Sequence, residues 1–183
     1  MPATDAAADI AEAIAPIAPD AVFAHSYLAI PAALAVRNIP ATRLVLVEPA
    51  FYDIARGSHD VDAHIATVER AREHLATSDL WGYWSIIRPL MFGGPAEENA
   101  WPEEQSLAAQ FAQRTLPWGH NLSADDLAAD RTLVITGGWN AEYEAIASRL
   151  VAAGATHVVL AGHAHRAQDH PGFAEVAAAF LGG

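Results

Sequence analysis

The stretch Arg43-Leu44-Val45-Leu46-Val47-Glu48 constrains this chain more than any other. It is a run of branched apolar side chains, too short for a buried helix and too uniformly apolar for a strand with one wet face. It reads as a strand buried on both sides and stopped at Pro49. Leu133-Val134-Ile135-Thr136 repeats the pattern and ends in Gly137-Gly138. Strands of this kind need helices on both faces, and the intervening segments supply them. Residues 5–15, with Thr4 as N-cap and Pro16 as stop, set Ile10 and Ile14 on one face, with Ile17 just beyond. Residues 21–24 are a brief apolar run ending in His25-Ser26, and 27–37 form an apolar helix in which Pro31 is tolerable near the first turn. A helix over 140–151 turns Tyr143, Ile146, Ala147 and Leu150 inward, with Gly154 just past its end. The last strand is 158–161, and a helix with Phe173, Val176 and Phe180 inward closes the chain. The predicted class is α/β, a parallel sheet of about four strands with flanking helices.

Between the two apolar runs the character changes. Ile65, Val68 and Leu75 mark one helix, and Leu107 and Phe111 mark another over 105–115. Trp81, Trp84, Trp101 and Trp118 all fall in this stretch with Tyr83 and Phe92, which predicts a mainly helical, aromatic insertion or, alternatively, an ordinary helical layer with tryptophans in its core. A capping-box pattern runs from Ser123 to Asp126. The chain thus divides into 1–54, an insertion at 55–130, and 131–183, as one domain with an inserted middle.

Composition narrows the chemistry. With 52% hydrophobic and 17% charged residues the chain can bury a core, so it is not globally disordered. Twenty-two acidic residues against 10 basic ones give a net charge of −12, a field that repels nucleic-acid phosphate and anionic membrane. There is no cysteine, which excludes thiolate nucleophiles, disulfides and cysteine-ligated metals. All the basic residues are arginine, so Schiff-base lysines are excluded as well. No apolar run approaches the roughly 18 residues of a membrane span, and the N-terminus lacks the basic start and apolar stretch of a secretory signal, which predicts a cytoplasmic address.

Ser26 stands directly after a short strand and before a helix, where a tight turn exposes a side chain at the carboxyl edge of a sheet. It is a candidate nucleophile, with the Tyr27 N–H as an oxyanion donor; the plainer alternative is a helix cap. The loop Gly162-His163-Ala164-His165-Arg166-Ala167-Gln168-Asp169-His170 follows the last strand, and His165 is the candidate base. Serine early, an acid position after a middle strand and histidine after the last strand is the order of strand–turn–serine hydrolases. The acid position holds Asn140, itself a good helix cap; Glu142, Glu48 and Asp53 are the alternatives. A different chemistry would use His163, His165, Asp169 and His170 to hold a metal, although their spacing departs by two residues from the metallo-hydrolase pattern and no second cluster is visible. The expectation is no metal and no cofactor.

Val22-Phe23-Ala24-His25-Ser26-Tyr27, Arg43 to Pro49, Leu133-Val134-Ile135-Thr136-Gly137, Leu160-Ala161-Gly162-His163-Ala164-His165-Arg166 and Pro171-Gly172-Phe173 together resemble the C-terminal half of the α/β-hydrolase superfamily. The resemblance covers most of the chain and implies a partial hydrolase fold with a helical cap. Ser26 would be nucleophile and His165 base, with an acid near Asn140. The expected activity is esterase-like hydrolysis of a small, apolar or weakly polar ester or acyl substrate, with His25, Trp81, Tyr83, Trp84 and Phe92 as contacts by position. Three departures stand out: Leu28 where the turn has a small residue, Asn140 in place of an acid, and no strands ahead of the nucleophile strand. The last leaves that strand as a sheet edge and predicts a truncated product that self-associates or pairs with a separate N-terminal half. The alternative function is a non-catalytic remnant or interaction module, with metal-dependent hydrolysis third.

Overall fold

The computed structural model describes residues 3–37, 39 and 41–182, with side chains from residue 5 on. Its elements in chain order are α1 (Ala3–Ile14), β1 (Ala21–His25), α2 (Ala29–Val36), β2 (Arg43–Val47), α3 (His59–Ala76), α4 (Leu80–Phe92), α5 (Trp101–Ala112), β3 (Thr132–Thr136), α6 (Ala141–Ala152), β4 (Thr156–Val159) and α7 (Phe173–Gly182). The expected cap at Thr4 lies outside the described side chains. The chain forms two compact units, Met1–Val61 with Pro117–Gly183, and Asp62–Leu116.

The first unit holds the sheet, four parallel strands in the order β1-β2-β3-β4. Because side chains alternate across a strand, Val45, Val47, Leu133 and Ile135 share one face, against which Val158, Phe173, Val176 and Phe180 pack. Leu44, Leu46 and Val134, on the other face, are equally buried. The helices left to cover them are α2, which packs on β1 and β2, and α6, which packs on β3 and β4. Each such aliphatic side chain stabilises the fold by about 1.5–3 kcal/mol relative to exposure, which is why a strand of only five residues holds its place. At the sheet's amino edge, Arg131 donates to the carbonyls of Ile39 (3.0 Å) and Thr42 (2.9 Å). β1 is an edge strand with Phe23 half-exposed at 51%.

Two boundaries differ from the sequence reading. The helix expected over 27–37 opens with a 3-10 turn, Ser26–Leu28, before α2 begins. The last strand runs over Thr156–Val159 rather than 158–161, because His157 is accommodated in it by a 2.7 Å hydrogen bond between its Nε2 and Thr136 Oγ1.

The second unit contains α4, α5 and most of α3. Asp79 caps α4 by accepting the Gly82 N–H at 2.8 Å, and His74 Nδ1 meets its other oxygen at 2.8 Å. A Cβ at Gly82 would fall 2.1 Å from that oxygen, so glycine here admits the cap rather than breaking the helix. Among the described residues, no helix is long and apolar enough to cross a membrane.

Candidate active site

A parallel sheet gathers all its carboxyl ends on one edge, and each strand here leaves through a residue with left-handed backbone. Ser26 follows β1 with φ +55°, Glu48 follows β2 with φ +46°, Gly138 follows β3 with φ +64°, and Ala164, before His165, has φ +46°. Side-chain-bearing residues avoid this region, and strain of this kind concentrates where geometry serves chemistry. Leu28 is 59% exposed.

Glu48 is wholly buried and its carboxylate is fully engaged. Oε1 accepts the Gly137 N–H at 2.5 Å; Oε2 accepts the Trp139 indole N–H at 2.9 Å and faces His165 Nδ1 at 3.4 Å. A carboxylate only accepts, so this contact assigns the proton to Nδ1 and leaves Nε2 of the neutral ring as the acceptor. A Cβ on Gly137 would lie 2.2 Å from the Ala164 carbonyl oxygen, so glycine is what lets the loop after β3 approach the loop carrying His165.

His25 Nε2 donates to the His165 carbonyl at 2.8 Å, and the two rings lie 4.5 Å apart. Burial lowers the His25 pKa, against the opposing effect of that hydrogen bond, and so favours the neutral ring. Tyr143, on the first turn of α6, sits with its ring 5.2 Å from His165 and 6.0 Å from Trp139. Its ring also meets that of Tyr52 edge to face at 6.5 Å. Burial, followed by nearby negative charge, pushes the pKa of Tyr143 far above the ordinary tyrosine value; burial also raises that of Tyr52. His165 therefore lies against Tyr143, and Ser26 stands on the same sheet edge.

The carboxylate at His165 thus comes from the end of β2 and not from the position after β3. Asn140 is committed to helix α6, its Oδ1 accepting the Tyr143 N–H at 3.0 Å. Glu142 stands in the first turn of α6 and contributes charge near Tyr143 and Tyr52. Asp53 holds the loop at 119–122, accepting from the N–H groups of Gly119 (2.8 Å), His120 (2.8 Å) and Leu122 (3.4 Å). In the sequence Glu48 is one of several alternatives with nothing to select it, and Tyr143 reads only as an inward-facing core residue.

The other histidine-loop residues are spread among separate contacts. His163 and His170 rings meet at 5.8 Å, and Asp169 pairs with Arg166 at 2.5 Å. Among the described residues, no group of three histidine, aspartate or glutamate side chains could hold a metal ion. In the second unit Trp84 is fully buried and packs with Phe92 and Phe111, and Tyr83 is buried. Trp81 and Trp101 meet edge to face at 5.2 Å and, with Glu98, line a shallow cavity of about 300 Å³. Trp84 and Tyr83 therefore serve the core of their own unit.

No protein-family model, curated protein or solved structure matches this chain.

Proposed function

We propose that this protein is a serine hydrolase of the α/β-hydrolase type, cleaving a small, weakly polar ester through an acyl-enzyme on Ser26. The observation that carries the reading is the buried Glu48 carboxylate facing His165 Nδ1 at 3.4 Å, on the same sheet edge as a serine held at φ +55°. The strand order, the serine after the first strand, the histidine after the last and the insertion between β2 and β3 agree with the resemblance.

In the forward step Ser26 turns its O–H to His165 Nε2. Oγ bonds to the ester carbonyl carbon, its proton passes to Nε2, and the carbonyl π pair moves onto oxygen near the Tyr27 N–H. Glu48 stabilises the imidazolium that results. The C–O bond to the alcohol then breaks, and the alcohol takes the proton from Nε2. Water repeats the sequence and releases the acid. The net charge of −12 disfavours anionic substrates.

The test is intact-mass analysis after treatment with a fluorophosphonate. One adduct on the wild type and none on Ser26→Ala supports the reading. No adduct on a folded chain overturns it in favour of a second reading, a non-catalytic interaction module. The observation on that side is the edge position of β1, where a second copy or a separate chain would add strands. Sedimentation as a monomer would remove that partner.

A further inference from the structure

We propose that Trp81, Trp101 and Glu98 form a binding site for a small quaternary ammonium cation. The site lies wholly within the helical unit and does not rest on the serine-hydrolase reading. The two indole rings meet at 5.2 Å with their planes 74° apart, and both line the cavity of about 300 Å³ together with Glu98. Ring planes at nearly a right angle make a corner. The face of an aromatic ring is the negative end of its quadrupole, so a cation in that corner is attracted by both rings. The Glu98 carboxylate adds a full negative charge to the same cavity.

The three residues are held by their own helices. Trp81 stands in the first turn of α4, whose start is fixed by the Asp79 cap on the Gly82 N–H. Trp101 opens α5, and its backbone N–H donates to the Glu98 carbonyl at 3.3 Å, so this ring and the carboxylate belong to one turn. Other aromatic groups of the unit are already occupied: Trp84 is fully buried with its N–H on Glu104, and the Phe111 face carries the Arg114 guanidinium at 3.8 Å. Trp81 and Trp101, by contrast, are half-buried, and Glu98 is exposed. Among the described residues no arginine covers either indole or pairs with that carboxylate.

The chemistry selects among cations. A primary ammonium is strongly hydrated and needs several acceptors in exchange for its water, which one carboxylate does not supply. A trimethylammonium group donates no hydrogen bond, and its methyls carry the charge onto ring faces. The cavity is at the lower end of small-molecule pockets, which suits a headgroup of that size. A free cation fits better than a lipid headgroup, because a phosphate beside the ammonium would meet Glu98 and the field of a chain at net charge −12.

The experiment titrates the full chain, by calorimetry and tryptophan fluorescence, with choline and with 3,3-dimethylbutan-1-ol, the neutral isostere in which carbon replaces the ammonium nitrogen. Choline is expected to saturate and to bind at least about tenfold more tightly than the isostere. Trp101→Leu should weaken choline about tenfold, and Glu98→Gln by a smaller factor. Equal affinity for the two compounds would mean an apolar crevice indifferent to charge, and no saturation with choline would mean no site; either overturns the proposal. Choline binding unchanged by both substitutions lies elsewhere and overturns it as well. Should Trp101→Leu misfold by circular dichroism, the chain is made with 5-fluorotryptophan throughout. That ring keeps its shape but has a less negative face, so choline must bind more weakly, and an unchanged affinity overturns the proposal. Phosphatidylcholine vesicles should not retain the chain; retention overturns the assignment to a free cation. A chain that fails the fluorophosphonate test can still pass this one, since the two sites share no residue.

Discussion

Two indole–carboxylate pairs, one in each unit, place the same contact in different surroundings. In the helical unit, the Trp84 indole N–H donates to Glu104 at 2.6 Å, and Arg88 Nε reaches the other carboxylate oxygen at 3.4 Å. In the sheet unit, the Trp139 indole donates to Glu48 at 2.9 Å, but among the described residues no arginine pairs with it; the third partner is His165 at 3.4 Å. Glu104 keeps 24% of its side chain exposed and has a permanent counter-charge, whereas Glu48 is fully buried and faces an imidazole. A buried anion is costly without a cation. The two pairs differ in what completes them: a fixed guanidinium in the helical unit, and a backbone N–H and an imidazole in the sheet unit.

The contrast is steepest at the two glutamates. Glu48→Gln is expected to lower kcat on an ester probe about 10⁴-fold, the scale seen when the carboxylate of a Ser-His-Asp triad becomes an amide. Glu104→Gln is expected to keep turnover and to cost about 1 kcal/mol in a urea melt. Equal losses of activity in both variants would erase the distinction. Next in size is Gly137→Ala, whose Cβ would press on the Ala164 carbonyl at 2.2 Å. The expected cost is about 1–3 kcal/mol, read as a lower urea midpoint at unchanged m, together with slowed fluorophosphonate labelling of Ser26. A variant as stable and reactive as wild type would show that the two loops do not depend on that approach.

The indoles separate the two units by smaller margins. Trp84→Phe removes a fully buried indole and a bond to a charged group, for about 2 kcal/mol of stability. Trp139→Phe, at a residue 44% exposed, should cost less stability and more activity; the reverse pattern would mean that the Glu104 pair serves turnover and the Glu48 pair only the fold. The smallest effect is in pH. His25 has a folded pKa below its ordinary 6.5, so the unfolded chain binds more protons than the folded one. Its contribution is complete above pH 6.5 and falls as pH drops through that value toward the folded one. Urea midpoints taken between pH about 7.5 and about 5 should therefore decline with acid, and the decline should be shallower in His25→Gln.

Much of the architecture was legible because its strands are short apolar runs with abrupt ends. Arg43–Val47 and Thr132–Thr136 need no neighbour to be recognised, and the order of Ser26 and His165 along the chain already placed them on one sheet edge. The partner of His165 was not legible. Asn140, Glu142, Glu48 and Asp53 all follow buried strands, and which one arrives is decided by loop backbone, namely the left-handed turn at Glu48 and the close approach permitted by Gly137. The helix α4 was legible only as part of a mainly helical insertion; in it Gly82 makes room for the Asp79 cap and Pro89 is carried inside the helix. The two-residue shift of β4 reflects His157, a polar residue drawn into a strand by the Thr136 hydroxyl.

The insertion of Asp62–Leu116 also bears on the order of assembly. Leu44 pairs with Thr132, so β2 and β3 can meet only after the whole inserted segment has been looped out between them. Loop closure costs entropy that grows with length, and parallel pairings at long separation slow folding. Early structure in the helical segment would fix the ends of that loop and shorten the search. Glu48 leaves one side of this pairing, Gly137 leaves the other, and His165 follows β4 beyond it, so the contacts around Glu48 are among the last to form and among the first to be lost when β2 and β3 part.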